Sequence, residues 1–209
     1  MWQHVIGFVS GLLVVVSNFP LCWGIQTGKR ELRSGQWTVW ALIAFTMAFT
    51  YCNAGTGANA WPAVFGFANV VTACGCVFRT IKRKYGSLDS VNLHGMVVLF
   101  CAFGSVLAIV VGFVPHGVRL LLYCAMFADA LIAIRVIRGF VSKPDTAGPF
   151  AYVFFGCGHG LSMFAIVNHT VANYALPVYM VAVSLCAAVP LTIYRLKKGV
   201  PFRTWQEWI

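Results

Sequence analysis

Charge is what this sequence has least of. Only 10% of its 209 residues are charged, and just five of those are acids. Soluble domains carry about a quarter charged residues, so an ordinary soluble domain is excluded. So is a disordered chain, which requires low hydrophobicity. No CxxC pair occurs, and Cys74-Gly-Cys76 lacks a second pair that would complete a metal site. The eight cysteines read as small apolar packing residues. His-Glu-x-x-His, paired carboxylates and nucleophile motifs are all missing, so neither an enzyme nor a bound metal or cofactor is expected. Period-2 alternation is missing too, which argues against a transmembrane β-barrel.

Hydrophobic residues are abundant, at 60% of the chain. Met1 to Gly28, Ser34 to Phe78, Ser90 to Val118 and Thr146 to Tyr194 carry no charge, and Leu120 to Ile134 carries only Asp129. A membrane-spanning helix needs about 20 apolar residues. The two longest blocks therefore hold two helices each, with turn signals at Asn53 to Asn59 and at Asn168 to Asn173. The expected fold is an all-α integral membrane protein of seven transmembrane helices. The spans are placed at 3–23, 37–53, 60–80, 92–113, 117–138, 148–168 and 173–194. Met1 to Trp23 has no basic leader and reads as a retained helix rather than a signal peptide.

With seven spans, fourteen of the fifteen basic residues share one face, from Lys29, Arg30 and Arg33 to Arg195, Lys197, Lys198 and Arg203. Arg119 alone lies opposite. The positive-inside rule makes the basic face cytoplasmic and the N-terminus external, in a plasma or bacterial inner membrane. Basic residues so placed are topology signals and lipid-headgroup contacts, so the lipid bilayer is a partner and nucleic acid is not. The tail 199–209, with Phe202, Trp205 and Trp208, suits the cytoplasmic interface.

The chain also repeats itself. An offset of 115 residues aligns the first three spans with the last three without a gap. Trp37 then meets Tyr152, Trp40 meets Phe155, Asn53 meets Asn168, Pro62 meets Pro177, and Asn69 meets Ser184. Two units of three spans in the same orientation need one helix between them, which gives a parallel 3+1+3 plan. The expected organisation is a first triple-helix bundle at 1–85, a linker helix at 86–115, a second bundle at 116–198 and an interfacial tail.

Ile6-Gly7-Phe8, Ser17-Asn-Phe-Pro20, Thr27-Gly28-Lys29, Tyr51 and Ala68-Asn-Val-Val-Thr72 resemble the first unit of the SWEET, SemiSWEET and PQ-loop (MtN3-like) transporters. The resemblance implies a SWEET-like fold and transport of a small polar solute such as a sugar, an amino acid or a vitamin. Pro20 is followed by Leu21 rather than Gln, Tyr51 by Cys52 rather than Gly, and Ser184 stands for the second Asn. These departures concern the solute and not the fold. Family position and the mid-membrane repeat interface point to Asn69 and Ser184 as substrate contacts. Tyr51, with Phe45 and Phe49 where the family has tryptophan, completes the expected set. The alternative for Asn69 and Ser184 is interhelical glue.

Pro20 removes one helical hydrogen bond and is a candidate hinge. Asp129 is the one acid inside a span, and intramembrane acids mark proton relays or structural pairs. His159, between Gly158 and Gly160 in mid-span, is the candidate proton partner; Arg135 and Arg119 are the structural alternatives. Gly7-xxx-Gly11, Gly24-xxx-Gly28 and Gly156-xxx-Gly160 fit close helix approach within one chain or in a homo-oligomer. The competing functional class is a non-transporting membrane scaffold or interaction protein on the same fold.

Overall fold

The computed structural model describes residues 2–27, 34–53, 57–85, 117–204 and Trp208; for 34–38, 81–85 and Thr146 only the backbone is described. Six α-helices occupy these residues: α1 Trp2–Gln26, α2 Ser34–Asn53, α3 Trp61–Tyr85, α4 Gly117–Ser142, α5 Phe150–Ser162 and α6 Val171–Lys197. Seven were expected. The span placed at 92–113, with the linker 86–115 and the basic residues Lys29, Arg30 and Arg33, lies outside the described residues. No strand occurs among the described residues. Trp2–Gln26, Gly57–Thr80, Gly117–Ser142 and Val171–Lys197 are long and apolar enough to cross a membrane, and Val39–Asn53 and Phe150–Ala165 are shorter apolar runs. This is an α-helical membrane protein.

Its surface is inverted relative to a soluble domain. Phe164, Phe127, Leu120 and Leu131 are largely exposed, while Ser10, Thr50, Asn59, Asn173 and Ser184 are buried. In lipid, polar side chains and backbone groups must find partners inside the protein. Short hydroxyl side chains do so within their own helices: Thr50 Oγ1 donates to the Thr46 carbonyl at 2.6 Å, and Ser162 Oγ to the His159 carbonyl at 2.7 Å.

The element bounds follow local chemistry. Gly57, at φ +60°, turns the chain into the short 3-10 segment Gly57–Ala60, and Pro62 sits in the first turn of α3, where its missing N–H removes no bond. The Thr170 hydroxyl caps α6 by accepting from the Asn173 N–H at 3.4 Å. Gly199, at φ +67°, ends α6 in a Schellman motif, with Val200 N–H donating to the Arg195 carbonyl at 3.1 Å. The helix expected through residue 168 stops at Ser162 and passes through a 3-10 turn, Met163–Ala165, into extended chain at Ile166. Beyond α6 the tail turns back: Trp208 is buried, its ring 4.3 Å from Phe202 and 5.7 Å from Phe150.

The helices adjoin one another in a closed order, α1–α3–α2–α4–α6–α5 and back to α1. The first helix of each half packs on the third, and the third on the second. Across the halves, α1 meets α5 and α2 meets α4, which is one relation applied twice after the 115-residue shift. The shift carries the start of α1 onto the start of α4.

Candidate solute cavity

A cavity of about 190 Å³ lies within this closed order of helices, and all six contribute to its wall. Ser17 and Leu21 come from α1, and Trp40, Ala44 and Met47 from one face of α2 at helical spacing. The α3 wall contains Pro62, Gly66 and Phe67; α4 adds Asp129 and Ala133, and α5 adds Tyr152, Phe155 and His159. Leu176, Met180 and Ser184 of α6 close the circuit. Trp40 with Phe155 and Ala44 with His159 are pairs under the 115-residue shift, so equivalent faces of the two second helices look into one space.

Polar groups in this wall are few. The Asp129 carboxylate accepts a hydrogen bond from the Tyr179 hydroxyl at 2.7 Å, and no ion pair to it occurs among the described residues. The structural alternatives for Asp129, Arg119 and Arg135, are exposed side chains. His159 is 2% exposed, its ring lies 4.8 Å from the Phe155 ring, and its Nε2 has no hydrogen-bond partner among the described residues. A buried polar atom without a partner is costly and calls for an explanation. Ser17 donates its hydroxyl hydrogen to the Val14 carbonyl at 2.6 Å. Ser184 faces α5 at Gly156, where a Cβ would come within 2.9 Å of the serine Cβ.

The sequence-derived residues divide. Ser184, Asp129 and His159 line the cavity together. Asn69 is buried beside it, and its amide donates to the Val14 carbonyl, tying α3 to α1. Phe45 and Phe49 stack on each other at 6.0 Å, with Phe45 also 5.4 Å from Phe67, on a face of α2 other than the lining face. Pro20 is buried inside a continuous α1. Tyr51 lies farther along α2, at the end opposite the basic residues. There it donates to the Asn173 carbonyl at 2.6 Å and accepts from Asn59 Nδ2 at 2.6 Å.

Sequence reasoning missed Tyr179, the partner of Asp129, and the rings of Trp40, Phe67, Tyr152 and Phe155 as a set. Three of these, Trp40, Tyr152 and Phe155, were already in pairs matched by the repeat, and that match was the available signal.

No family model, curated protein or solved structure matches this chain.

Proposed function

We propose that this chain is a membrane transporter that moves a small polar solute by alternating access between two triple-helix units, 1–85 and 116–198, on a SWEET-like 3+1+3 plan. The span at 92–113 would join the units, and the basic face would lie in the cytoplasm. The observation that carries this reading is the cavity lined from both halves, whose helices repeat the same neighbour relations. Solute sites at a repeat interface suit this mechanism, because rocking one unit against the other exposes the site first to one side and then to the other.

Two features support a resting state that is closed on the outer side. Tyr51 of the first unit is bonded to the Asn173 carbonyl of the second. Around it, Met47, Ala60, Leu122 and Leu176 form one core shared by both units. Opening outward would require this seam to part. Asp129 and His159 are the acid and the imidazole in the wall, and any proton coupling would pass through them.

The test is uptake into proteoliposomes containing the purified chain, with a panel of sugars, amino acids, amines and vitamins, with and without a pH gradient. Saturable flux of at least one solute, lost when Tyr152 and Phe155 are replaced by Ala, is the expected result. Absence of flux for every solute would overturn the reading and leave the scaffold alternative.

A further inference from the structure

The chemistry of the cavity wall narrows the solute. A sugar needs a dense set of hydrogen-bond partners, since each unpaired hydroxyl buried without one is penalised. This wall offers few: the Ser17 hydroxyl hydrogen is already donated to Val14, and the Asp129 carboxylate already accepts from Tyr179 behind it. The rest is mostly aliphatic and aromatic.

Three observations converge on a different occupant. The Asp129 carboxylate faces the cavity without a basic partner among the described residues, and an intramembrane carboxylate is stabilised by a counter-charge. Trp40, Phe67, Tyr152 and Phe155 bring four aromatic rings to the same wall, and ring faces attract ammonium groups, most strongly where water is excluded. His159 Nε2, buried and without a hydrogen-bond partner among the described residues, remains for one polar group of a ligand. The volume, about 190 Å³, is below the roughly 300 Å³ where drug-sized ligand sites begin. That volume suits a small molecule.

We infer that the cavity binds a small organic monocation, an ammonium compound with one further hydrogen-bonding group. The ammonium head would sit between Asp129 and the aromatic rings, and the polar end would reach His159. This rests on the transporter reading only for the location of the site; binding itself does not require transport.

The experiment uses the full chain purified in detergent. Binding of choline, tetramethylammonium, glucose and 3,3-dimethylbutan-1-ol is measured by calorimetry and by thermal protection. The last compound is the neutral isostere of choline and isolates the charge. Choline and tetramethylammonium are expected to bind and protect, choline more tightly, while glucose and the isostere do not. Asp129→Asn should weaken choline binding about tenfold or more, since it removes the counter-charge. Trp40→Leu should weaken it about tenfold through the lost ring face. The melting midpoint of each ligand-free variant checks that it is folded. If Asp129→Asn does not fold, Trp40→Leu and the comparison of choline with its isostere still decide the matter.

Equal binding of choline and the isostere would overturn the inference, as would glucose binding in the absence of cation binding. If choline binds but does not cross vesicles, the site stands and the transport reading fails. If glucose is carried and choline neither binds nor competes, transport stands and the cation site fails.

Discussion

The two ends of the helix bundle are built differently. At the basic end each half has its own core: Ile25, Ala41, Ala73 and Val77 in the first, and Phe140, Ala147, Ala187 and Leu191 in the second. Ile25 and Phe140 are equivalent under the 115-residue shift, as are Leu21 and Val136 packed against them. At the opposite end there is one core drawn from both halves, crossed by the hydrogen bond from Tyr51 to Asn173. Close glycine approach is likewise found away from the basic end, within the first half at Gly7 and across the halves at Gly158. A Cβ on Gly7 would meet the Ala58 carbonyl oxygen at 2.0 Å, and one on Gly158 would meet the Ser10 carbonyl oxygen at 2.7 Å. Gly75 and Gly139 have nothing among the described residues within 4 Å of that position. The difference teaches which end holds the halves together and which leaves them separate. Any opening at the former end would require its seam to part.

The largest effect is expected from filling the seam. Gly158→Val places atoms where the backbone of Ser10 and the side chain of Val14 already stand, so α1 and α5 must separate. Overpacking of this kind costs about 1–3 kcal/mol, sometimes more. Denaturation in detergent should show that loss, while Gly139→Ala, at the basic end, should be neutral or up to about 1 kcal/mol stabilising through helix propensity. Equal losses at the two positions would erase the contrast between the ends.

A smaller effect is expected from Tyr51→Phe. It keeps the ring in the shared core and removes only the hydroxyl, leaving the Asn173 carbonyl and the Asn59 amide without that partner. Hydrogen bonds inside membrane proteins contribute about 1 kcal/mol each, so the pair should come to about 1–2 kcal/mol. The more telling readout is accessibility. With Ala60→Cys, at a position buried in the shared core, labelling of the new thiol should accelerate when Tyr51→Phe is added if the hydroxyl closes the seam. Unchanged labelling with unchanged stability would remove Tyr51 from that role.

Much of the helical layout was legible in the sequence, because its cause is coarse. A bilayer demands long apolar helices, so charge-free blocks placed the six described helices to within a few residues at most of their ends. The exceptions have local causes. The α3 helix extends to Tyr85 because a basic helical end can project beyond the apolar region, and α5 ends at Ser162 where the chain enters a 3-10 turn. The site was harder to read. Asp129 stood out because an acid in an apolar span is rare, but Tyr179 lies fifty residues away, and no sequence period links them. Asn69 shows the opposite difficulty. Its position suggests a solute contact, but its amide reaches the Val14 carbonyl in a neighbouring helix, and that pairing depends on how α1 and α3 face each other. Helix existence follows from composition, whereas helix facing follows from packing.

The smallest effect tests the tie that is private to the second half at the basic end. Asp145, in the connection between α4 and α5, accepts from the Tyr194 hydroxyl at 2.7 Å and from Lys198 Nζ at 3.1 Å, and pairs with Arg195 at 3.3 Å. The Tyr194 hydroxyl first, and then the Lys198 ammonium, hold its carboxyl below the usual carboxylate range. A carboxyl lowered in the folded state contributes stability above its unfolded value, near 3.9, and loses that contribution as pH falls through the folded value. Wild type should therefore melt slightly above Asp145→Asn by a constant margin between about pH 5 and 8, and the two curves should converge in acid. The margin is small because Asp145 is 61% exposed, and solvent and salt screen such pairs. Added salt should narrow it at neutral pH without altering labelling of the Ala60→Cys thiol, since the tie lies within one half and at the other end. If breaking the Asp145 cluster did change that labelling, the two ends would be mechanically coupled and the separation between them would not hold.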